Sequence, residues 1–338
     1  MKPSNYNLFL KYPDSSKAVL FNTLYGSMLL LEDSEIEKVS NILSKLPVDE
    51  MNSEIGSTLI NEKFIIKDDT NEIQIINHRK QKGIRDKNRL DIIFMPTLNC
   101  NFSCIYCYEK HVTSSMSDIV EESINKWLIN EIPKFKYVLV HWFGGEPLLE
   151  LNRITNISNT IREIANKNKI GFSLQVTTNG FFLTKKNAQK LIKSGINNFQ
   201  ITLDGTREYH DKLRIQKNGN PTYNVIFKNI VNLLEFNNNL KISLRINFNH
   251  TNIDSIPELL TQFPESIRKK IRIAFEPIFG NCSINAVNNI NHSDLSEKLS
   301  MYYKLADRLG YDVTIGMSQV ITGKLVYCYA ERINQFVV

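Results

Sequence analysis

Cys100-Asn101-Phe102-Ser103-Cys104-Ile105-Tyr106-Cys107 places three thiols within eight residues. Three thiolates in one tight loop can hold three irons of a 4Fe-4S cube and leave the fourth iron open. A purely electron-carrying cluster takes four cysteines, so an open iron is an iron that can bind a further ligand. The competing chemistry is zinc, which wants a fourth nitrogen or sulfur, and His111 is the nearby candidate. The two remaining cysteines, Cys282 and Cys328, lie far from the loop. An odd count with this crowding is no secreted disulfide framework; it points to metal or redox chemistry in a reducing compartment.

The other residues suited to chemistry follow short β-rich runs. Gly144-Gly145-Glu146-Pro147 follows one, Thr178-Asn179-Gly180 another and Asp204-Gly205 a third, and Glu276-Pro277 closes the last. Two adjacent glycines are expected where backbone must come very close to something else. Glu276 is a candidate acid, base or substrate contact at a strand end, and Asp204 and Asn179 could cap turns or touch a cofactor.

The elements that must position these residues are legible from about Leu90 onward. Asp91 to Met95, Tyr137 to Phe143, Phe172 to Thr178, Asn198 to Leu203, Ile242 to Phe248 and Ile271 to Ile278 read as six strands. Helical spacing separates them. Ile119, Val120, Ile124, Trp127, Leu128 and Ile132 form one apolar face, with Ser117 or Asp118 as N-cap; Ile154, Ile157, Ile161 and Ile164 form the next. Alternating strand and helix implies parallel strands with right-handed crossovers, either as an open doubly wound sheet or as a barrel. In both, ligands gather at the carboxyl ends of the strands, which is where the residues above fall.

The first 88 residues differ. Asn7 to Leu10, Ala18 to Phe21, Lys63 to Ile66 and Glu72 to Ile76 read as strands around a helix at Glu35 to Leu46, a small α+β unit. The basic run His78 to Arg89 is expected as a solvated linker rather than a nucleic-acid arm, since no aromatic interleaving accompanies it.

Taken together, the cysteine run with aromatic Tyr106 before its last cysteine resembles the defining motif of the radical S-adenosylmethionine (SAM) superfamily. Trp142-Phe143-Gly144-Gly145-Glu146-Pro147 looks like that family's glycine-rich turn. Thr177-Thr178-Asn179-Gly180 and Thr202-Leu203-Asp204-Gly205, followed by His210 and Arg214, resemble segments of the branch that carries a SPASM extension, which includes peptide maturases and anaerobic sulfatase-maturating enzymes. There Ser is commoner than Thr202, and the hydroxyl is kept.

The resemblance implies an α/β fold, a partial (β/α)6 TIM-like barrel. It would span residues 89–309, after the N-terminal α+β unit of residues 1–88 and before an incomplete extension at 310–338. It implies that Cys100, Cys104 and Cys107 bind a 4Fe-4S cluster. Tyr106, Gly144, Gly145, Glu146, Pro147, Thr178, Asn179 and Thr202 would hold SAM, with Glu146 on its amino group, and Asp204 and Glu276 would be catalytic. SAM would be cleaved to a 5′-deoxyadenosyl radical that takes hydrogen from a peptide or protein side chain, with a reductant such as flavodoxin or ferredoxin. The N-terminal unit would recognise part of the peptide.

Cys328-Tyr329-Ala330-Glu331-Arg332 looks like the opening of a SPASM domain, and Phe336-Val337-Val338 like a strand cut off without a partner, as in a truncated chain. Competing expectations are an RNA-modifying enzyme of the same chemistry, a catalytically inert cluster-binding remnant, and a zinc-binding interaction module. With 42% hydrophobic and 22% charged residues, a net charge of +6 and no run of roughly 18 apolar residues, the composition fits a folded cytoplasmic protein without membrane spans.

Overall fold

The structure is a computed structural model that describes residues 1–11, 16–237, 240–278, 292–313 and 334–338. Cys282, Cys328 and the segment Cys328 to Arg332 lie outside the described residues. The described residues form two compact units, one running to Asp86 and the other starting at Lys87.

The second unit contains all six expected strands: β1 (Arg89–Phe94), β2 (Tyr137–Trp142), β3 (Gly171–Thr178), β4 (Ile196–Thr202), β5 (Lys241–Phe248) and β6 (Ile271–Pro277). Each pairs in parallel with the next in sequence, so the order across the sheet is the order along the chain. A doubly wound sheet reverses direction at a switch point, and this one does not. Sequential winding is that of a barrel, and among the described residues no strand lies beyond β6 in the sheet, its outer side carrying a single parallel bridge from Arg272 to Asp312, so the barrel is partial.

Helices α1 (Asp118–Glu131), α2 (Leu151–Asn168), α3 (Lys185–Lys193), α4 (Arg207–Leu213) and α5 (Tyr223–Phe236) fall between the strands. Four of the five bury an apolar stripe in one continuous core: Ile124 and Leu128 from α1, Ile154, Ile157 and Ile161 from α2, Leu191 from α3, and Ile226, Ile230 and Leu234 from α5. Ser117 caps α1, accepting from the Val120 amide at 3.4 Å. Ile119 and Val120, expected in the stripe of α1, are exposed instead, because they stand in its first turn, beyond the sheet contact.

Period-two alternation sorts the strands into two faces. Leu174, Val176, Phe199, Ile201, Leu244 and Ile246 are buried in the apolar core. Gln175, Thr177, Gln200, Thr202, Ser243, Arg245 and Asn247 alternate with them and line open space on the other side. The concave interior is therefore polar. On it, His141 meets the Thr177 hydroxyl at 2.7 Å, and burial pushes its pKa down to about 4, so the ring is neutral.

A seventh strand, β7 (Gln335–Val337), pairs in parallel with β1, Phe336 opposite Ile92. The Phe336 ring meets Trp127 edge-on at 5.1 Å between centroids. The strand expected to lack a partner thus completes the core sheet, because the outer edge of β1 offers a free row of backbone groups.

The first unit is α+β, as expected. Asn7–Lys11, Lys17–Asn22 and Met28–Glu32 make an antiparallel sheet, and Lys2–Pro3 pairs with Ile65–Ile66. Ala18, Leu20 and Leu31 pack with Val39, Ile42, Leu59 and Phe64 from the following segments. One expectation fails: Glu72 to Ile76 is not a strand but the start of a helix, Glu72–Ile84, which also takes up most of the run read as a linker. Glu-Ile-Gln-Ile-Ile alternates like a strand, but the Asn71 side chain accepts the Gln74 amide at 3.0 Å and caps a helix. Replacing Asn71 with Ala is expected to lower the stability of this unit by about 1 kcal/mol. A strand at this position would make the change neutral, and a thermal melt with circular dichroism separates the two.

Candidate active site

The cysteine loop follows β1 and is held mainly by backbone. The amides of Ser103 and Ile105 donate to the carbonyls of Ile215 and Leu213 at 2.8 and 3.1 Å, and the Lys217 amide donates to that of Asn101 at 3.0 Å. The stretch just after α4 is thus a template for the loop. Nothing in residue type marks it, since the contacts are main-chain, and the motif reading missed it.

The double glycine explains itself against the same loop. At Gly144, φ is +118°, and a Cβ there would sit closer than 3.0 Å to the Thr97 carbonyl; at Gly145 a Cβ would press as closely on the carbonyls of Leu98 and Asn99. The Gly145 and Glu146 amides donate to Thr97 and Asn99 at 3.2 and 2.8 Å. The close approach anticipated for a ligand is, on this side, an approach of backbone to backbone, and both glycines also line the cavity described next.

A cavity of about 340 Å³ opens at the carboxyl ends of the strands. Its walls include Cys100, Cys104, Cys107, Tyr106, Gly144, Gly145, Thr178, Asn179 and Thr202, nine of the thirteen residues expected in the site. Arg214, Arg245, Asn247, Gln200, Tyr108 and His111 join them. Arg245 and Asn247 were legible as polar positions alternating within an otherwise apolar strand.

Four expected residues do not line the cavity. Glu146 is fully buried, with one carboxylate oxygen accepting from the Leu148 amide at 2.9 Å and the Thr178 hydroxyl at 2.7 Å, and the other from the Asn179 amide at 2.7 Å. It clasps the turn after β2 to the end of β3, and burial raises its pKa against the pull of these hydrogen bonds. Pro147 is buried as the first residue of a 3-10 turn. Glu276 is half-buried, in register with Asn247, and leaves the wall to Pro277 and Ile278.

Asp204 is fully buried behind Tyr106. It accepts the Tyr106 hydroxyl proton and, through its other oxygen, the Asn247 amide at 2.9 Å. The Tyr106 oxygen in turn accepts from Arg214 Nη1 at 2.7 Å and Asn247 Nδ2 at 3.1 Å. The expected catalytic carboxylate is therefore shielded from the cavity and holds the tyrosine that sits between two of the cysteines. His210 belongs to the same support. Its Nδ1 accepts the Asp204 amide at 3.0 Å, so its Nε2 carries the proton toward the Thr222 hydroxyl, which donates to the Arg214 carbonyl at 2.6 Å. Burial, then the Arg214 charge, holds this imidazole well below its ordinary pKa.

Cys100 Sγ has an N–H donor beside it, the Phe102 amide at 3.4 Å. His111 Nδ1 lies 3.3 Å from the Leu98 carbonyl, which only accepts, so Nδ1 carries the proton and Nε2 accepts from Cys107 Sγ at 3.4 Å. Asn179 Oδ1 accepts the Phe181 amide, which fixes its amide so that Nδ2 faces Asn101 Oδ1 at 2.8 Å and Cys100 Sγ at 3.9 Å. Burial pushes the Cys100 thiol up to about 11 and raises Cys104 too, so these two thiols stay protonated until a metal displaces their protons. Among the described residues, no three His, Cys, Asp or Glu side chains converge closely enough to hold a single metal ion. Three thiols rimming one cavity, with the Phe102 amide and Asn179 Nδ2 beside Cys100, fit a multi-iron cluster.

A sequential parallel sheet that opens on three cysteines and a double-glycine turn has relatives. The family model of the radical SAM superfamily matches residues 94–263, half of the chain. The chain belongs to the radical SAM superfamily, which uses a 4Fe-4S cluster and SAM. It is 26% identical over 184 residues to the Fe-coproporphyrin III synthase of Methanosarcina barkeri, covering 54% of this chain and 43% of the relative. It is 31% identical over 143 residues to the cysteine-type anaerobic sulfatase-maturating enzyme of Clostridium novyi, covering 39% and 37%. The matches thus span about half of these curated relatives or less. Among solved structures it resembles the anSMEcpe enzyme with bound AdoMet and Cp18Cys peptide, with a TM-score of 0.53 at 19% identity over 66% of this chain and 62% of that one.

Gly145→Ala is expected to abolish cluster retention, because its methyl group would have to displace two carbonyls of the cysteine loop. Iron and sulfide content after anaerobic reconstitution reads this directly; a variant that keeps its full iron content would show that the contact is dispensable.

Proposed function

We propose that this chain modifies a peptide or protein side chain by hydrogen abstraction. The observation that carries the reading is the cavity itself: the three thiols and the SAM-type glycine turn line one space at the strand ends, together with Tyr108, Pro277 and Ile278. Support for a peptide rather than a small metabolite comes from the sulfatase-maturating relative and from the peptide bound in the similar solved structure.

Cys100, Cys104 and Cys107 would hold the cluster, and SAM bound beside it would supply the 5′-deoxyadenosyl radical. The chain's own work is then placement. Gly144 and Gly145 offer backbone at the wall, Thr178, Asn179 and Thr202 offer hydroxyl and amide groups, and Tyr106 is locked by Asp204, Arg214 and Asn247. Glu276, half-buried just behind the Pro277 and Ile278 wall and in register with the cavity-lining Asn247, would reach the peptide as acid or base.

The first unit would hold another part of the same peptide. Leu8, Leu10, Met28 and Leu30 are 46 to 57% exposed, on the face of the small sheet opposite the buried Ala18, Leu20 and Leu31. Among the described residues, Asn7–Lys11 and Met28–Glu32 are its edges, and an edge with apolar neighbours suits an added peptide strand.

Two measurements test this. With peptides deuterated at their side-chain carbons, mass spectrometry is expected to find deuterium in the 5′-deoxyadenosine formed; unlabelled product with every peptide tried would remove the peptide reading. Glu276→Gln is expected to lower turnover by about a hundredfold, the low end for general acid–base groups, with cluster content unchanged. Full activity in that variant would take Glu276 out of the site.

A further inference from the structure

We infer that an acidic one-electron carrier protein docks on the basic outer face of α3 and reduces, from there, the cluster held by Cys100, Cys104 and Cys107. The inference rests on the cluster assignment and is independent of the substrate.

The chemistry calls for such a partner. Splitting the sulfonium of SAM into the thioether of methionine and a carbon radical consumes one electron, and that electron has to reach the cluster from outside the chain. One electron passes from the carrier, a reduced flavin or iron–sulfur protein, to the cluster, and no bond forms or breaks in that transfer.

The face itself is strongly charged. α3 reads Lys-Lys-Asn-Ala-Gln-Lys-Leu-Ile-Lys, four lysines and no acid. Ala188 and Leu191 are buried, and Lys186, Lys190 and Lys193, at i, i+4 and i+7, are exposed together on the opposite side. Among the described residues none of these three has an ion-pair partner, unlike Lys134, Lys212 and Lys298 on other helices and turns. Arg162 donates to the Lys193 carbonyl at 2.6 Å and brings a further cation to the same surface. Lys185 and Lys186 stand in the first turn, where the helix dipole disfavours cations, so the charge does not serve the helix itself.

The same helix is fastened to the cysteine loop. Phe102, between Cys100 and Cys104, is fully buried and meets Phe181 edge-on at 5.8 Å between centroids, and Phe181 meets the half-buried Phe182 at 5.4 Å. The Phe182 carbonyl accepts from Asn187 Nδ2 at 2.8 Å, which ties it to the first turns of α3. Asn229 Nδ2 donates to the carbonyls of Gly180 and Phe181 at 2.9 and 3.0 Å and fixes the connection between them. Two ring contacts thus lead from the cysteine loop to the lysine face. Of these residues only Phe102 lines the cavity, so a carrier seated on α3 leaves the cavity free for SAM and substrate.

The test uses the anaerobically reconstituted full chain with flavodoxin hydroquinone as reductant. Stopped-flow absorbance follows cluster reduction, and titration calorimetry with oxidised flavodoxin reads binding without turnover. Cluster content of the unsubstituted chain is measured first, so that failure of the cluster assignment is told apart from failure of this inference. The double variant Lys186→Glu and Lys190→Glu is expected to lower the second-order rate constant at low salt about tenfold and to weaken binding, with iron content and reduction by dithionite unchanged. Raising the salt is expected to narrow the difference. The control pair Lys82→Glu and Arg85→Glu makes the same change in net charge on the first unit and is expected to keep the rate of the unsubstituted chain. An unchanged rate in the α3 variant would overturn the inference, and so would an equal fall in both variants, which would make the effect one of net charge alone. A chain that dithionite reduces but neither flavodoxin nor ferredoxin does would overturn it as well.

Discussion

The site depends on one contact between two stretches of backbone. Gly144 and Gly145 lie so close to Thr97, Leu98 and Asn99 that side chains cannot come between them. This fixes the cysteine loop to the end of β2, and the pairing with Ile215 and Leu213 fixes its far side to the stretch after α4. Three thiols on a long connection would otherwise sample many arrangements, and ordering them costs about 1–2 kcal/mol for each residue fixed. Main-chain hydrogen bonds on both flanks meet that cost before a metal arrives.

Beneath the loop lies a polar network in which every member restrains another. Tyr106 is held by Asp204, Arg214 and Asn247, and Asp204 and Arg214 are tied to His210 and Thr222. Buried networks of this kind are stabilising only when nearly complete, since an unpaired group costs about 1–3 kcal/mol. Among the described residues this one is complete except at Arg214 Nε. Glu146 plays the same part on the other flank, clasping β2 to β3 with both oxygens occupied. The carboxylates of the motifs, Glu146 and Asp204, thus act as framework, and the cavity wall takes its sulfur, glycine, hydroxyl, amide and guanidinium groups from their neighbours.

Much of this was legible in the residues. The six strands stand out because parallel strands buried on a helix layer are rich in Val, Ile and Leu, and the chemistry-bearing residues follow their carboxyl ends. The cysteine spacing is local, and so is its meaning. The choice between barrel and doubly wound sheet was not legible, because strand order is a long-range property. Glu72 to Ile76 misled because a short alternating run fits a strand as well as one side of a helix, and the cap at Asn71 decides it. Glu146 and Asp204 misled for another reason: sequence shows a carboxylate at a strand end, but not that backbone amides and a tyrosine occupy its oxygens. The Phe336 strand found its partner in β1, some 240 positions earlier by residue number, where no local pattern points.

The most direct test is to load the chain anaerobically with iron and sulfide, reduce it with dithionite, add SAM, and follow both the cluster spectrum and 5′-deoxyadenosine, with a Cys100, Cys104 and Cys107 triple alanine control. The expected result is a 4Fe-4S cluster whose electron paramagnetic resonance signal changes when SAM is added, with 5′-deoxyadenosine formed only when the cysteines are intact. Zinc in place of iron, or a cluster that neither responds to SAM nor cleaves it, would contradict the account.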